Sequence, residues 1–361
     1  MAKTSFDAAT PVLNISECAD LIAAIGDKVA VLVQGDMGSG KSSLLKTLAK
    51  RFPNHYPAYV DMATKDIGDI QIPHILSTEH TSYVRFAPNE EFGLQHGKPV
   101  LMMLDEIGKN RGIMNAVTRI LQEFSVGNMA LPPGSIVFAT TNLGAENVGD
   151  SLPPHVRNRI NIVRMKKPNA EQWLAWGMEN DMDPALMAAV HEFPQMLESF
   201  TDVDDFKNNP YIYDPRDPSR TSFVTPRSLE KLSHLLKKRP VLNDHIVLQG
   251  AMGLVGAKAA NDIMTLVTLG DTLPRFEEYA TNPTKTKVPE SAAACIMVAL
   301  TAIQRTTQAD FNNVATYLER FQMEVQALFY TTIVKSSKGP WVCSMSKCTE
   351  FIHKNNALFR A

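Results

Sequence analysis

No run of 18 or more apolar residues occurs in this chain, so it contains no ordinary membrane-spanning helix. The opening stretch "MAKTSFDAATPVLN" lacks the basic-then-apolar layout of a secretory signal. An excess of charge is missing too. Thirty-six basic against 38 acidic residues leave a formal net charge of −2, so no global field draws the chain to nucleic acid or to an anionic membrane. Cysteine is scarce: Cys18, Cys295, Cys343 and Cys348 suit a reducing compartment. Cys343 and Cys348, in "CSMSKC", have no second Cys or His pair beside them to complete a zinc site, so free thiols are expected. Together these absences predict a cytoplasmic protein with no membrane partner.

What is present is enough for a sizeable core. With 361 residues, 44% of them hydrophobic, the chain has the length for two domains or one large domain with an appendage. "VAVLV" (Val29 to Val33) is a continuous β-branched and leucine run, the pattern of a strand buried on both faces of a parallel sheet. The segment after it matches G-x-x-x-x-G-K-[ST] in full, with Gly35, Asp36, Met37, Gly38, Ser39, Gly40, Lys41 and Ser42, and Ser43 extending it. Glycines let successive backbone N–H groups turn inward as an anion nest, and the helix predicted from Lys41 to Arg51 aims its positive end at the same place. Lys41 suits the β and γ phosphates of a nucleotide, and Ser42 offers a hydroxyl to Mg²⁺. The bland alternative is a Gly/Ser-rich turn, which the full strand, loop and helix context disfavours.

A second buried-strand pattern, Val100 to Leu104, ends in Asp105 and Glu106. Ligands of open parallel sheets sit beyond the carboxyl ends of the strands, which would put both acids beside the phosphate loop. Asp105 then suits Mg²⁺, and Glu106 is placed to polarise an attacking water. A third strand, "SIVFATTN" (Ser135 to Asn142), would bring Thr140, Thr141 and Asn142 to the same edge. "LPPHVRNRINIV" sets Arg157 and Arg159 just before another short apolar strand, where exposed arginines are usually solvated.

Residues 201–225 are rich in Asp, Asn and Pro without periodicity, and read as a linker at a domain boundary. A helix starts at "TPRSLEKLSHLLKK", with Thr225 as N-cap and Pro226 at its first position. Arg227 sits in the first turn, where the helix dipole disfavours a cation unless an anion arrives. From there to the end apolar residues recur mostly at helical spacing. Between the first two motifs, "TSYVRFAP", with Tyr83, Arg85 and Phe86, reads either as a hairpin or exposed loop, or as an edge strand covering the sheet.

"GDMGSGKSS", "LMMLDEIGKN", "FATTN", "LPPHVRNRI" and "TPRS" stand in the order of Walker A, Walker B, sensor 1, arginine finger and sensor 2 of the AAA+ ATPases. The set resembles that superfamily, and "KDIGDIQIPHILSTEHTSYVRFAPNEEFGLQHGKPVLMMLDEI" is similar to the helix-2 insert and following acid pair of its MoxR branch, closest to phage-type members. The likeness covers about residues 5 to 260. It implies an α/β domain over 1–200 with a central parallel five-stranded sheet in the order 5-1-4-3-2, an insert at about 66–97, and an α-helical lid and tail over 226–361.

The resemblance also implies ATP and Mg²⁺ as ligands, and a ring, usually a hexamer, whose nucleotide sites lie between subunits. By motif, Glu106, Asn142 and Arg159 become the catalytic set, with Arg157 as a second finger candidate and Arg227 as sensor 2. Ser42 and Asp105 hold the metal. MoxR members typically remodel a protein client beside a von Willebrand factor A domain protein. Ile160 departs from the Phe that commonly follows the finger arginine. The alternatives are a DNA-acting motor or loader, which would need a basic pore or tail that the charge balance does not advertise, and a monomeric P-loop kinase or nucleotide switch.

Overall fold

The computed structural model describes residues 10–143, 154–203, 208–217 and 219–359. The chain forms two compact units, Met1–Lys167 and Pro168–Ala361. The first unit is α/β. Its elements are β1 (Val12–Leu13), α1 (Ile15–Ile25), β2 (Val31–Gly35), α2 (Ser43–Arg51), β3 (Tyr56–Asp61), α3 (Ile67–Ile70), β4 (Gln71–Ser77), β5 (Ser82–Pro88), β6 (Val100–Asp105), α4 (Met114–Glu123), β7 (Ser125–Val126), β8 (Met129–Ala130), β9 (Ile136–Asn142), α5 (Pro154–Arg157) and β10 (Asn161–Met165).

The described strands of the main sheet number six rather than the expected five, in the order β1-β10-β2-β9-β6-β3, and every neighbouring pair is parallel. The extra member is the two-residue β1, which joins at the edge because Arg164 and Lys166 of the β10 region donate to the carbonyls of Pro11 and Leu13. The strand expected from Val29 begins at Val31, and the helix expected from Lys41 begins at Ser43.

Period-two alternation builds the sheet's two faces. Leu32, Val100, Met102, Leu104, Val137 and Ala139 point to one apolar cluster, which α4 completes with Val117, Ile120 and Leu121. Val31, Val33, Leu101, Met103 and Phe138 point to the other, closed by Cys18 and Ile22 of α1 and Leu44 and Leu48 of α2. Both faces are therefore covered, as the unbroken apolar runs of β2 and β6 require.

The insert is a hairpin. β4 and β5 pair antiparallel from Gln71↔Pro88 to Ser77↔Ser82 as a two-stranded sheet of their own, so the edge-strand alternative does not hold. Ile72, Ile75, Tyr83 and Val84 on it are exposed. The β7–β8 turn sits at its base: a Cβ added to Gly127 would lie 2.7 Å from Gln71 Oε1 and 3.2 Å from Phe86 Cβ.

The second unit is helical among its described residues, with α6 (Ala170–Glu179), α7 (Pro184–Glu192), α8 (Pro226–Lys237), α9 (Asp244–Val255), α10 (Ala257–Gly270), α11 (Phe276–Thr281), α12 (Ala292–Arg305), α13 (Phe311–Leu318), α14 (Met323–Lys335), α15 (Gly339–Val342) and α16 (Ser346–Lys354). The division into units falls at Lys167/Pro168, ahead of the linker predicted at 201–225. The reason is packing: Trp173, Leu186 and Val190, from before that segment, share one apolar core with Leu229, Leu232 and Val247 from after it. The described residues of 201–225 contain no α-helix or β-strand. The C-terminal stretch belongs to the same core through Phe329, Tyr330, Val342, Cys348 and Phe351. Lys338 anchors it by donating to the carbonyls of Ile303, Gln304 and Thr306 at 2.9, 2.7 and 2.8 Å, which satisfies the end of α12. No described helix is long and apolar enough to cross a membrane.

Candidate functional site

Four strand ends converge on one edge of the sheet. Register pairs Gly35 of β2 with Asn142 of β9, and Asp61 of β3 with Asp105 of β6, while Leu104 lies opposite Ala139. The phosphate-loop motif, the acid pair and the polar end of the third predicted strand thus meet as the sequence suggested.

The loop needs its glycines. Gly38 and Gly40 adopt φ +68° and +99°, a region closed to most side chains. A Cβ on Gly35 would stand 3.2 Å from the Met165 carbonyl. Lys41, though charged, is buried, and its Nζ donates to Gly35 O at 2.7 Å, Asp36 O at 2.9 Å and Asn142 Oδ1 at 2.8 Å. Three oxygens around one ammonium are the donor–acceptor pattern that phosphate oxygens would replace. Ser43 Oγ donates to Gly40 O at 2.7 Å, so its hydroxyl braces the loop, whereas Ser42 stands at the N-cap of α2 without a side-chain cap bond. Among the described residues, Ser39 Oγ and Thr141 Oγ1 are buried with no hydrogen-bond partner. Of these, Ser39 belongs to the loop that leads into α2, and a polyphosphate oxygen there would satisfy its orphaned hydroxyl.

Asp105 is buried at the end of β6. Tyr59 Oη donates to its Oδ2 at 2.9 Å, and Thr140 Oγ1 donates to its Oδ1. Burial first, and then the bond to Asp105, push the Tyr59 phenol well above its ordinary range, so it remains a proton donor at neutral pH. Glu106 follows with φ +56°, a conformation uncommon outside glycine. Its backbone is pinned by Ile107 N donating to Thr140 O at 3.2 Å, and its carboxylate pairs with Lys109. A buried carboxylate with Asp61 opposite it in register is the hard oxygen chemistry that would suit a hydrated divalent cation.

The expected arginines are less concentrated. Arg159, exposed before β10, donates from Nη1 to Gln122 Oε1 of α4 at 2.9 Å. Arg157 is exposed at the end of α5. Arg227 is exposed in the first turn of α8 in the other unit, behind a capping box in which Ser228 N donates to Thr225 Oγ1 at 3.0 Å and Thr225 N to Ser228 Oγ at 2.8 Å. Glu123, which stands near the motif in sequence, makes an exposed pair with Arg119 at 2.8 Å.

Sequence reasoning missed Tyr59, Lys109 and Gln122. A signal for the first was available: "YPAYVD" alternates and ends in an acid, as the run Val100 to Asp105 ends in one.

The fold and this edge define a P-loop α/β unit followed by a helical unit. No family model matches the chain, and no curated protein matches it. Among solved structures it is similar to NtrX from Brucella abortus in complex with ADP, at 14% identity over 99% of this chain and 69% of that one, TM-score 0.38. It is similar as well to a point mutant of RuvB from Thermotoga maritima, at 15% identity over 91% of this chain and 87% of that one, TM-score 0.36. Hsp104 with ATPγS and FITC-casein matches at 15% identity over 72% of this chain and 45% of that one, TM-score 0.36. Likenesses this distant carry no functional argument, which rests instead on the site's own residues.

Proposed function

We propose that this chain is an Mg²⁺-dependent ATPase of the AAA+ superfamily, MoxR-like and of phage type, that works as a ring, with six copies as the usual number. Its work is to remodel or activate a protein client, with a von Willebrand factor A domain protein as the expected kind of partner. The observation that carries the ATPase reading is the convergence of Lys41, Asp105, Glu106 and Asn142 on one sheet edge beside the orphaned Ser39 hydroxyl. The ordered motif set, including "LPPHVRNRI" and "TPRS", supports the ring.

In this reading Lys41 exchanges its loop carbonyls for β and γ phosphate oxygens, and Asn142 is left to orient the attacking water. Glu106 gives up its pairing with Lys109 and takes the proton of that water. Bound Mg²⁺ supplies charge neutralisation at the phosphates. Arg159 leaves Gln122 to stabilise charge in a neighbour's site, and Arg227 serves as sensor 2. The helical unit acts as the lid.

The test is Glu106→Gln. It keeps Mg²⁺·ATP bound while phosphate release falls by about 10²-fold or more, the scale of a lost general base. Specific activity of the wild type rises with protein concentration as subunits assemble. A wild type that releases no phosphate, or a Glu106→Gln variant at the wild-type rate, overturns the reading.

A further inference from the structure

Asp105 lies on β6 between β3 and β9, and each flanking strand sends it a hydroxyl, Tyr59 to Oδ2 at 2.9 Å and Thr140 to Oδ1. A carboxylate with one donor rotates about its Cβ–Cγ bond; donors on both oxygens fix its plane. Each oxygen still keeps a lone pair for a cation or for water in a cation's shell. The register also sets Asp61 opposite Asp105, so two carboxyl groups share this edge, and the phenolic O–H is a local donor that offsets their crowding.

Tyr59 has little structural reason to be aromatic. On β3 the buried residues are Ala58 and Val60, while Tyr59 is 46% exposed and belongs to none of the three apolar clusters. An exposed ring whose one polar atom reaches a buried carboxylate is placed for its hydroxyl. Thr140 alone would hold the carboxylate by Oδ1 only.

We propose that Tyr59 is a positioning residue for the metal: its hydroxyl holds the Asp105 carboxylate in the orientation that receives hydrated Mg²⁺. The inference rests on the reading of Asp105 as the metal-holding acid. Mg²⁺ demands near-ideal geometry and sheds water reluctantly, so a carboxylate that swings loses affinity for the ion without touching the nucleotide.

Tyr59→Phe in the full chain tests it. Binding of a fluorescent ATP analogue is measured in EDTA and then against added Mg²⁺, and hydrolysis is not needed as the readout. In EDTA the variant and wild type bind alike. With Mg²⁺, the concentration for half-maximal enhancement of binding rises about tenfold in the variant, the scale of one hydrogen bond to a charged group. Tyr59→Leu, also without the hydroxyl, serves the same comparison should the first variant not fold, and the same shift is expected. An unchanged or lowered Mg²⁺ requirement overturns the positioning role while leaving the ATPase reading in place. A wild type whose nucleotide binding ignores Mg²⁺ overturns the metal reading of Asp105, and this inference with it.

Discussion

Lys41 and Asn142, 101 positions apart in the chain, meet at 2.8 Å across the ends of β2 and β9. The contact joins the glycine-rich loop to the neighbouring strand, and it keeps a buried ammonium supplied with acceptors. In the proposed ATPase this ammonium exchanges oxygens of the protein for oxygens of a phosphate.

Lys41→Ala therefore weakens ATP binding by about a hundredfold or more, since hydrogen bonds to charged groups are worth about 1.5–3 kcal/mol each. Equilibrium binding of a fluorescent analogue checks it. Wild-type affinity in the variant would remove Lys41 from phosphate recognition.

Arg159→Ala leaves nucleotide binding intact and lowers turnover by about 10³-fold, the lower range for a lost finger arginine. Mixing it with Glu106→Gln subunits should restore activity, because a mixed ring joins an intact Glu106 to a neighbour's Arg159. If the mixture stays as inactive as its components, Arg159 does not act across subunits. Its bond to Gln122 at 2.9 Å would then stand as a local surface contact.

Asp183 caps α7, accepting from Ala185 N at 2.9 Å and Leu186 N at 3.3 Å. Burial raises its pKa above the ordinary carboxylate value, although those two backbone donors, Arg239 and Lys237 oppose the shift. A raised folded pKa means that the folded state binds the proton more tightly than the unfolded chain. Stability from this group is thus greatest below the ordinary carboxylate pKa, falls as pH rises towards the raised value, and remains reduced at neutral pH. Asp183→Asn keeps the cap acceptor and removes the buried charge. Thermal melts from acid to neutral pH should show a flatter profile, with stability at pH 7 within about 1 kcal/mol of wild type and on the higher side, since Asn and Asp cap about equally well. A variant less stable at every pH would contradict the burial argument.

Gly93 adopts φ +76°, and a Cβ there would stand 2.3 Å from Tyr56 Cδ1. The Tyr56 ring is stacked on His96 with centroids 4.0 Å apart, so yielding breaks that contact. Gly93→Ala should cost about 2–4 kcal/mol, combining the left-handed backbone penalty with overpacking. Denaturant unfolding gives the number, and a loss below about 0.5 kcal/mol would show that the ring moves aside freely.

Several elements were readable because their signals are local. The apolar runs ending at Gly35, Asp105 and Asn142 announce buried parallel strands, and β-strand geometry carries each terminal polar group to the sheet edge. Gly40, Lys41 and Ser42 could be placed at a helix start, and the Thr225 cap could be placed to the residue, since both depend on neighbours within a few positions. The unit boundary was not readable. Asp, Asn and Pro go with the lack of α-helix and β-strand among the described residues of 201–225, but which core Trp173 and Leu186 enter depends on contacts with helices far along the chain.

The sequence by itself determined the glycine-rich loop between β2 and α2, the acids at the end of β6 and just after it, and the helical character of the second half, because backbone conformation and hydrophobic period are written in adjacent residues. Only the tertiary structure decided that a hairpin stands apart from the sheet, that Glu106 pairs with Lys109, and that Tyr59 and Thr140 grip Asp105 from opposite sides. Those choices follow from strand order and register, which bring residues 46 and 35 positions from Asp105 within hydrogen-bonding reach of it, and no local pattern encodes such a meeting.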